Sequence, residues 1–441
     1  MEAEICALAP SDWQIRSVED VCKRVTSGGT PSRTCPDFYV DGSWPWVKTQ
    51  ELQDTWIDHT EEKITDEAVA NSSAKVLPPN TILLAMYGAT VGQLGILRSP
   101  MTCNQACCAM IVDSDKADFR YLYHHLRYSR TQLKSLATGA AQQNLSGALI
   151  KSLLYPFPPL AEQKAIAAVL GALDDKIELN RRMNATLEAM ARALFQSWFV
   201  DFDPVRAKLD GRKPIGLDET TAALFPDKFQ DSTLGHIPKG WTVGKVSDLA
   251  TLNRGAVNPG DFPAETFDHF SLPSFDNGRT PKLELGSGIM SNKFTVTQNS
   301  VLLSKLNPHI PRIWLPDLHA SRRSVCSTEF MVACSKPGVS REYLFSLFTS
   351  SAFASVYGTL VTGTTGSHQR IRPESVLDMT TVVSPPALIR AFTDIAKPMF
   401  DRINRNTEQS RTLATLRDTL LPKLLSGELS MTANLLASTK S

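Results

Sequence analysis

The chain has 441 residues, 46 Lys plus Arg against 45 Asp plus Glu, and 42% hydrophobic residues. That length suits two to four domains with sizeable cores, and a net charge of +1 excludes bulk positive charge as a means of holding nucleic acid, so any such site has to be a local patch. No run approaches the ~20 apolar residues needed to cross a bilayer and no basic stretch precedes an apolar core at the amino terminus, which predicts a soluble, cytoplasmic protein without membrane contact.

Residues 1–157 read as a first mixed α/β globule. It opens with Trp13, Val18, Asp20 and Val21, continues through the β-branched run Asn80-Thr-Ile-Leu-Leu84 as a buried strand, and reaches an aromatic-rich helix at Tyr121-Leu122. A loop then runs from Thr138-Gly139 to Gln143-Asn-Leu145, and Pro158-Pro159 follows. Residues 158–200 carry one long amphipathic helical pattern with Ile166, Leu170, Leu173, Ile177, Asn180, Asn184, Leu187, Ala191, Leu194 and Trp198 stepping by four and three, a heptad spacing. Residues 201–238, rich in Asp, Pro, Gly and Lys, read as a connector that buries no core of its own.

From residue 239 the same landmarks return in the same order. Trp241, Val246, Asp248 and Leu249 answer the opening, Asn299-Ser-Val-Leu-Leu303 the strand, and Tyr343-Leu344 the helix. Thr362-Gly363 with Gln369-Arg-Ile371 answers the loop, and Pro385-Pro386 closes the second globule at 384. Residues 385–430 then repeat the helical pattern through Phe392, Ala396, Met399, Ile403, Asn406, Ser410, Leu413, Arg417, Leu420 and Leu424, each 226 positions after its counterpart. A repeat this long fixes the architecture. It predicts an α+β protein in which two mixed α/β domains are joined by two long antiparallel helices, a coiled-coil-like spacer with pseudo-twofold symmetry, and a frayed tail over 431–441. The polar middle, Asn180 and Asn184 against Asn406 and Ser410, is expected to set register. Gly171 and Pro398, nearly equivalent, predict a break in each helix that leaves long pieces over about 172–200 and 398–425, and Pro422 predicts a bend in the last turn. Each long piece would extend roughly 40 Å, slightly more than the ~34 Å turn of B-DNA over which two readers can sit on one face of a duplex.

Several stretches resemble the specificity subunits of type I restriction–modification systems. They are Ser27-Gly-Gly-Thr-Pro31, Thr81-Ile-Leu-Leu-Ala-Met-Tyr-Gly88, Pro158-Pro-Leu-Ala-Glu-Gln-Lys164, Leu173-Asp-Asp-Lys-Ile-Glu-Leu-Asn180, Leu194-Phe-Gln-Ser-Trp-Phe-Val-Asp-Phe-Asp-Pro204 and Leu424-Leu-Ser-Gly-Glu428. The second copy departs from the pattern: Pro386-Ala-Leu-Ile-Arg390 lacks the Glu-Gln pair, and Asn253-Arg-Gly-Ala256 replaces the double-glycine loop. The resemblance implies a subunit without catalysis of its own. Two target-recognition domains each read one half of a split, asymmetric duplex DNA site, and the helices dock two methyltransferase subunits. Motor–nuclease subunits join in turn, and S-adenosylmethionine, ATP and Mg are bound by these partners and not by this chain.

Phosphate contacts call for Lys, Arg and small donors, and base reading for bidentate Arg, Lys, Asn or Gln. In the first domain the candidates are Lys23, Arg24, Ser27, Thr30, Lys48, Gln50, Tyr87, Gln142, Gln143 and Asn144; in the second they are Arg254, Lys305, Asn307, His309, Arg322, Arg323, His368, Gln369 and Arg370. The loops ending in Gln143-Asn144 and Gln369-Arg370 stand out because equivalent positions in both copies carry such side chains. Helix packing is expected from Leu173, Ile177, Asn180, Asn184, Leu187, Leu194, Met399, Ile403, Asn406, Leu413 and Leu420. An enzyme is the competing reading: Asp37 with Glu61, Glu62 and Lys63 loosely imitates a nuclease, but no phosphate loop, dinucleotide fingerprint or amino-methyltransferase signature is present. His124-His125 has no further ligand at metal spacing. A scaffold that bridges proteins without touching DNA is the other alternative.

Overall fold

The computed structural model describes residues 9–137, 144–362 and 369–431. The chain forms two compact units, one made of residues up to Arg181 together with those from Thr407 onward, the other of Arg182–Asn406.

In the first unit a five-stranded sheet has the order Cys22–Ser27, Cys107–Val112, Ile82–Ala85, Leu94–Leu97, Thr55–Ile57. Ile82–Ala85 is buried at all four positions, as a run of consecutive apolar residues should be when both faces of a central strand are covered. Asp118 caps the helix Phe119–Tyr128 by accepting the Arg120 and Tyr121 N–H groups, and that helix buries Tyr121, Leu122, Tyr123 and Leu126 in the core. His124 and His125 are buried with them; His125 lies 4.8 Å from the Tyr121 ring and 4.9 Å from that of Tyr155. They are aromatic core residues, and no group of three or more metal-ligating side chains occurs among the described residues.

The second unit repeats this plan. Thr242–Lys245 pairs with Thr380–Val383 as Gln14–Ser17 pairs with Leu154–Phe157. The sheet Ala250–Asn253, Phe330–Ser335, Ser300–Ser304, Ile313–Trp314 follows the order of the first, with Ser300–Ser304 fully buried in the central place. A further five-stranded sheet in this unit contains Thr266–Phe270 and Arg323–Cys326.

The expected connector has more structure than its composition suggested. It holds the helices Asp203–Leu209 and Glu219–Ala223 and a hairpin of Phe229–Ser232 with Gly235–Pro238. Phe202, Val205, Phe225 and Ile237 enter the core of the second unit, where Phe202 meets Trp241 at 5.6 Å and Phe225 meets Trp198 at 5.2 Å. Widely spaced large apolar residues do this without any periodicity to reveal it.

The expected helix breaks do not occur: Leu160–Phe199 and Pro386–Leu425 are continuous helices of 40 residues each. At Gly171 a Cβ would stand 2.3 Å from Arg120 Nη1, so glycine is there to admit the guanidinium, which pairs with Asp175 at 3.1 Å. Pro398 lies between buried Ala396 and Phe400, with Phe392 one turn earlier. Burying each Phe contributes roughly 1.5–3 kcal/mol, enough to hold the helix across a proline that costs about 3 kcal/mol. Pro422 is likewise carried by buried Leu421, Leu424 and Leu425.

All seam positions are buried or half-buried. In the first unit Asn180 Nδ2 donates to Gln409 Oε1 at 2.9 Å and Ser410 Oγ at 3.2 Å, and Arg417 reaches Asp174 at 2.7 Å. In the second, Asn406 Nδ2 donates to Asn184 Oδ1 at 2.8 Å and Asn184 Nδ2 to the Ile403 carbonyl at 3.4 Å. Partners that descend along one helix as they ascend the other define an antiparallel pair. Leu173, Ile177, Leu187, Leu194, Met399, Ile403, Leu413 and Leu420 flank these polar layers, each half-buried.

The motif Glu162-Gln163 closes the first unit. Gln163 accepts the Asp118 N–H at 3.0 Å and donates to the Pro158 carbonyl at 2.8 Å, while buried Glu162 accepts the Met431 N–H at 3.3 Å. The equivalent Leu388 and Ile389 are buried core residues of the second unit, so the departure in the second copy exchanges polar ties for apolar packing.

Candidate nucleic-acid interface

Both units build the same feature at the same place. In the first, the strand Cys22–Ser27, the chain leaving Ile82–Ala85 and the start of the helix Gly147–Ser152 enclose a cleft of about 380 Å³ whose walls include Ser27, Tyr87 and Lys151. The returning loop is stitched to it: Leu145 N–H donates to the Met86 carbonyl at 2.9 Å and Asn144 bridges Tyr87. In the second, Ala250–Asn253, the chain leaving Ser300–Ser304 and the start of Pro373–Leu377 enclose a cleft of about 140 Å³ whose walls include Arg254, Lys305, Phe294 and Glu374. Here Ile371 N–H donates to the Lys305 carbonyl at 3.0 Å and Arg370 bridges Leu306. The backbone plan is shared and the side chains differ.

Around the first cleft the structure gathers Ser27, Tyr87 and Asn144. Tyr87 is 40% exposed and precedes Gly88, whose φ of +70° suits glycine. The double glycine before Thr30 is needed for close approach: a Cβ on Gly28 would stand 2.0 Å from the Cys103 carbonyl oxygen, and one on Gly29 would stand 2.3 Å from Ala74 N. Trp46 Nε1 donates to the Gly29 carbonyl at 3.0 Å, so the loop is held rigidly with Thr30 exposed at its tip. Arg24 is exposed on the adjoining strand, and Lys23 there faces Asp113 at 3.8 Å. Lys48 is taken by Glu61 at 2.6 Å and Glu62 at 2.9 Å, which hold its ammonium above the usual lysine range; Gln50 beside it is exposed. Glu62 also pairs with Arg33 at 2.7 Å, so Glu61 and Glu62 of the nuclease-like set serve as ion-pair partners. Gln142 and Gln143 lie outside the described residues.

Around the second cleft the gathering is denser. His309 Nε2 lies 2.9 Å from Gln369 Oε1, and Asn307, in the left-handed region at φ 49°, donates its N–H to the Gln369 carbonyl at 3.0 Å. Lys305 Nζ lies 5.8 Å from the centre of the Phe294 ring. Arg254 pairs with Glu374, and Arg370 with Glu329 at 2.8 Å. Arg323 begins a strand of the other sheet of this unit, and Arg322 stands just before it. There Arg322 meets buried Asp268 at 3.1 Å, and Arg323 holds Glu265 at 2.6 Å while lying 3.9 Å from the centre of the Phe262 ring. His368 lies outside the described residues. Sequence reasoning missed Lys151, Glu329 and Glu374, whose places depend on contacts from distant parts of the chain.

Residues 10–189 match the family described as Type I restriction modification DNA specificity domain. Over 95% of its length the chain is 26% identical to the type I restriction enzyme MjaIX specificity subunit of Methanocaldococcus jannaschii, of which it covers 94%. Over 64% of its length it is 25% identical to the HindI specificity subunit of Haemophilus influenzae, of which it covers 70%. The crystal structure of the S subunit of a type I restriction-modification system from M. genitalium superposes with a TM-score of 0.55 at 14% identity, covering 94% of this chain and 96% of that one, a likeness of fold. The resemblance read from the sequence therefore holds: one stretch of the chain matches this family, and over nearly its whole length the chain is similar to specificity subunits of type I restriction–modification systems. No helix among the described residues is long and apolar enough to cross a membrane.

Proposed function

We propose that the chain is the non-catalytic subunit that selects the DNA site of a type I restriction–modification enzyme, each unit reading one half of a bipartite, asymmetric duplex sequence through its cleft. The paired helices would dock two methyltransferase subunits and, through them, motor–nuclease subunits. The observation that carries this reading is the duplicated cleft: one backbone plan presents Tyr87 and Asn144 in one copy and Lys305, Asn307, His309, Gln369 and Arg370 in the other. Bidentate amides and guanidiniums distinguish base edges in the major groove, while cations without such geometry supply only the phosphate term. Different side chains on one frame suit two different half-sites.

The test is the purified chain with its methyltransferase partner, titrated with duplex DNA. Sequence-selective binding is expected, and its absence sinks the proposal; cutting or methylation by the chain alone would favour an enzyme. Exchanging residues 10–157 for the segment of a relative should alter one half of the methylated sequence in a cellular methylome. Alteration of both halves would contradict independent readers.

A further inference from the structure

Resting on the reading that the second cleft faces DNA, we infer that Glu329 and Glu374 are specificity-determining carboxylates. They occupy Arg370 and Arg254 when DNA is absent, and so weaken the hold on sequence that the subunit does not read. Six of the eight candidate cations, Lys23, Lys48, Arg254, Arg322, Arg323 and Arg370, already face a carboxylate. Two of those pairs stand at the second cleft, where Glu374 forms part of the wall with Arg254 and Lys305. Glu329 is joined to the same place twice, since its side chain takes Arg370 and its carbonyl accepts the Lys305 N–H at 2.8 Å.

Carboxylate and phosphate compete for the same guanidinium fork. Non-specific binding consists almost wholly of phosphate contacts, so every cation held by an acid is subtracted from it. At a matched sequence the base contacts compensate for breaking the pair, and discrimination rises. The Arg254–Glu374 pair is more than half exposed on both sides, which keeps it exchangeable. Glu329 is more committed: its side chain is 29% exposed, and Oε2 is buried without a partner among the described residues. A buried carboxylate oxygen left without a partner costs stability, which points to a role at the cleft and not in holding the fold.

The test uses the full chain with its methyltransferase partner, titrated over a salt series with a duplex bearing the recognised sequence and one lacking it. Glu329→Gln is expected to strengthen binding of the unmatched duplex about three- to tenfold and to steepen its log–log salt slope by about 0.9. The matched duplex should gain less. In an Arg370→Gln background the gain should vanish; Glu374→Gln, at an exposed position that does not endanger folding, should behave likewise through Arg254. Unchanged unmatched affinity and slope, an equal gain on both duplexes, or a gain that survives the loss of Arg370 would each overturn the inference. A wild-type complex with no preference for either duplex would instead overturn the proposed function.

Discussion

At the scale of single residues, burial decides more than charge. Burial, assisted by Arg127, Arg417 and Arg120, pushes His124 down to about 3, and burial followed by the neighbouring His124 does the same to His125. A folded-state value below the unfolded one means that the unfolded chain binds the extra protons. The stability at issue is complete above pH 6.5 and is lost as pH falls toward 3, by up to about 1.4 kcal/mol per pH unit for each ring. His125→Phe, which removes one such group from an aromatic pocket, should flatten the acid limb of stability measured by denaturant titration between pH 7 and 4; an unchanged limb would refute this origin. Glycines give a second contrast. Gly28→Ala forces a Cβ onto a backbone carbonyl and should cost several kcal/mol, on the order of an overpacked core, whereas Gly147 has open space around it and Ala there should be neutral or stabilising by up to about 1 kcal/mol. Equal chemical-denaturation midpoints for the two variants would contradict the close-approach account.

At the scale of elements, the heptad seam was legible because its signal is local: apolar residues every three or four positions have one way to be buried. The polar layer was legible for the same reason, and Asn184→Ala with Asn406→Ala tests it. Each single change should cost about 1 kcal/mol, and a double-mutant cycle in thermal unfolding should give a coupling of roughly 0.5–1.5 kcal/mol; additivity would show that the pair seen at 2.8 Å contributes nothing. The helix breaks were misread because propensity at Gly171 and Pro398 was weighed without the tertiary partners Arg120, Phe392 and Phe400 that override it. The core residues of 201–238 escaped notice because nothing local marks Phe225 as a partner of Trp198 or Ile237 as a core residue of the second unit. Among candidate contacts, the equivalence of Asn144 and Arg370 could be read from repeat landmarks. The acid partners could not, since Arg254 and Glu374 are 120 positions apart.

At the scale of the whole chain, the duplication governs what can vary independently. Inserting seven residues into both long helices at matching seam positions preserves the face of each. It is expected to lengthen the unread spacer while leaving both half-sites as they were, read from the methylation pattern of a cell carrying the variant and its partner. A spacer of unchanged length would refute the role given to the helices.

The chain boundaries of the two units also bear on how the protein is made. The second unit is one continuous segment, whereas the first is complete only after Thr407 and the residues beyond it have been synthesised. Leu421, Leu424 and Leu425 are buried in the first unit's core, and Glu162 awaits Met431. During synthesis the second unit can therefore finish folding before the first. A released chain truncated after Asn406 should resist protease over 182–406 and be cut within 9–181, so a premature stop near the carboxyl terminus disables the first unit.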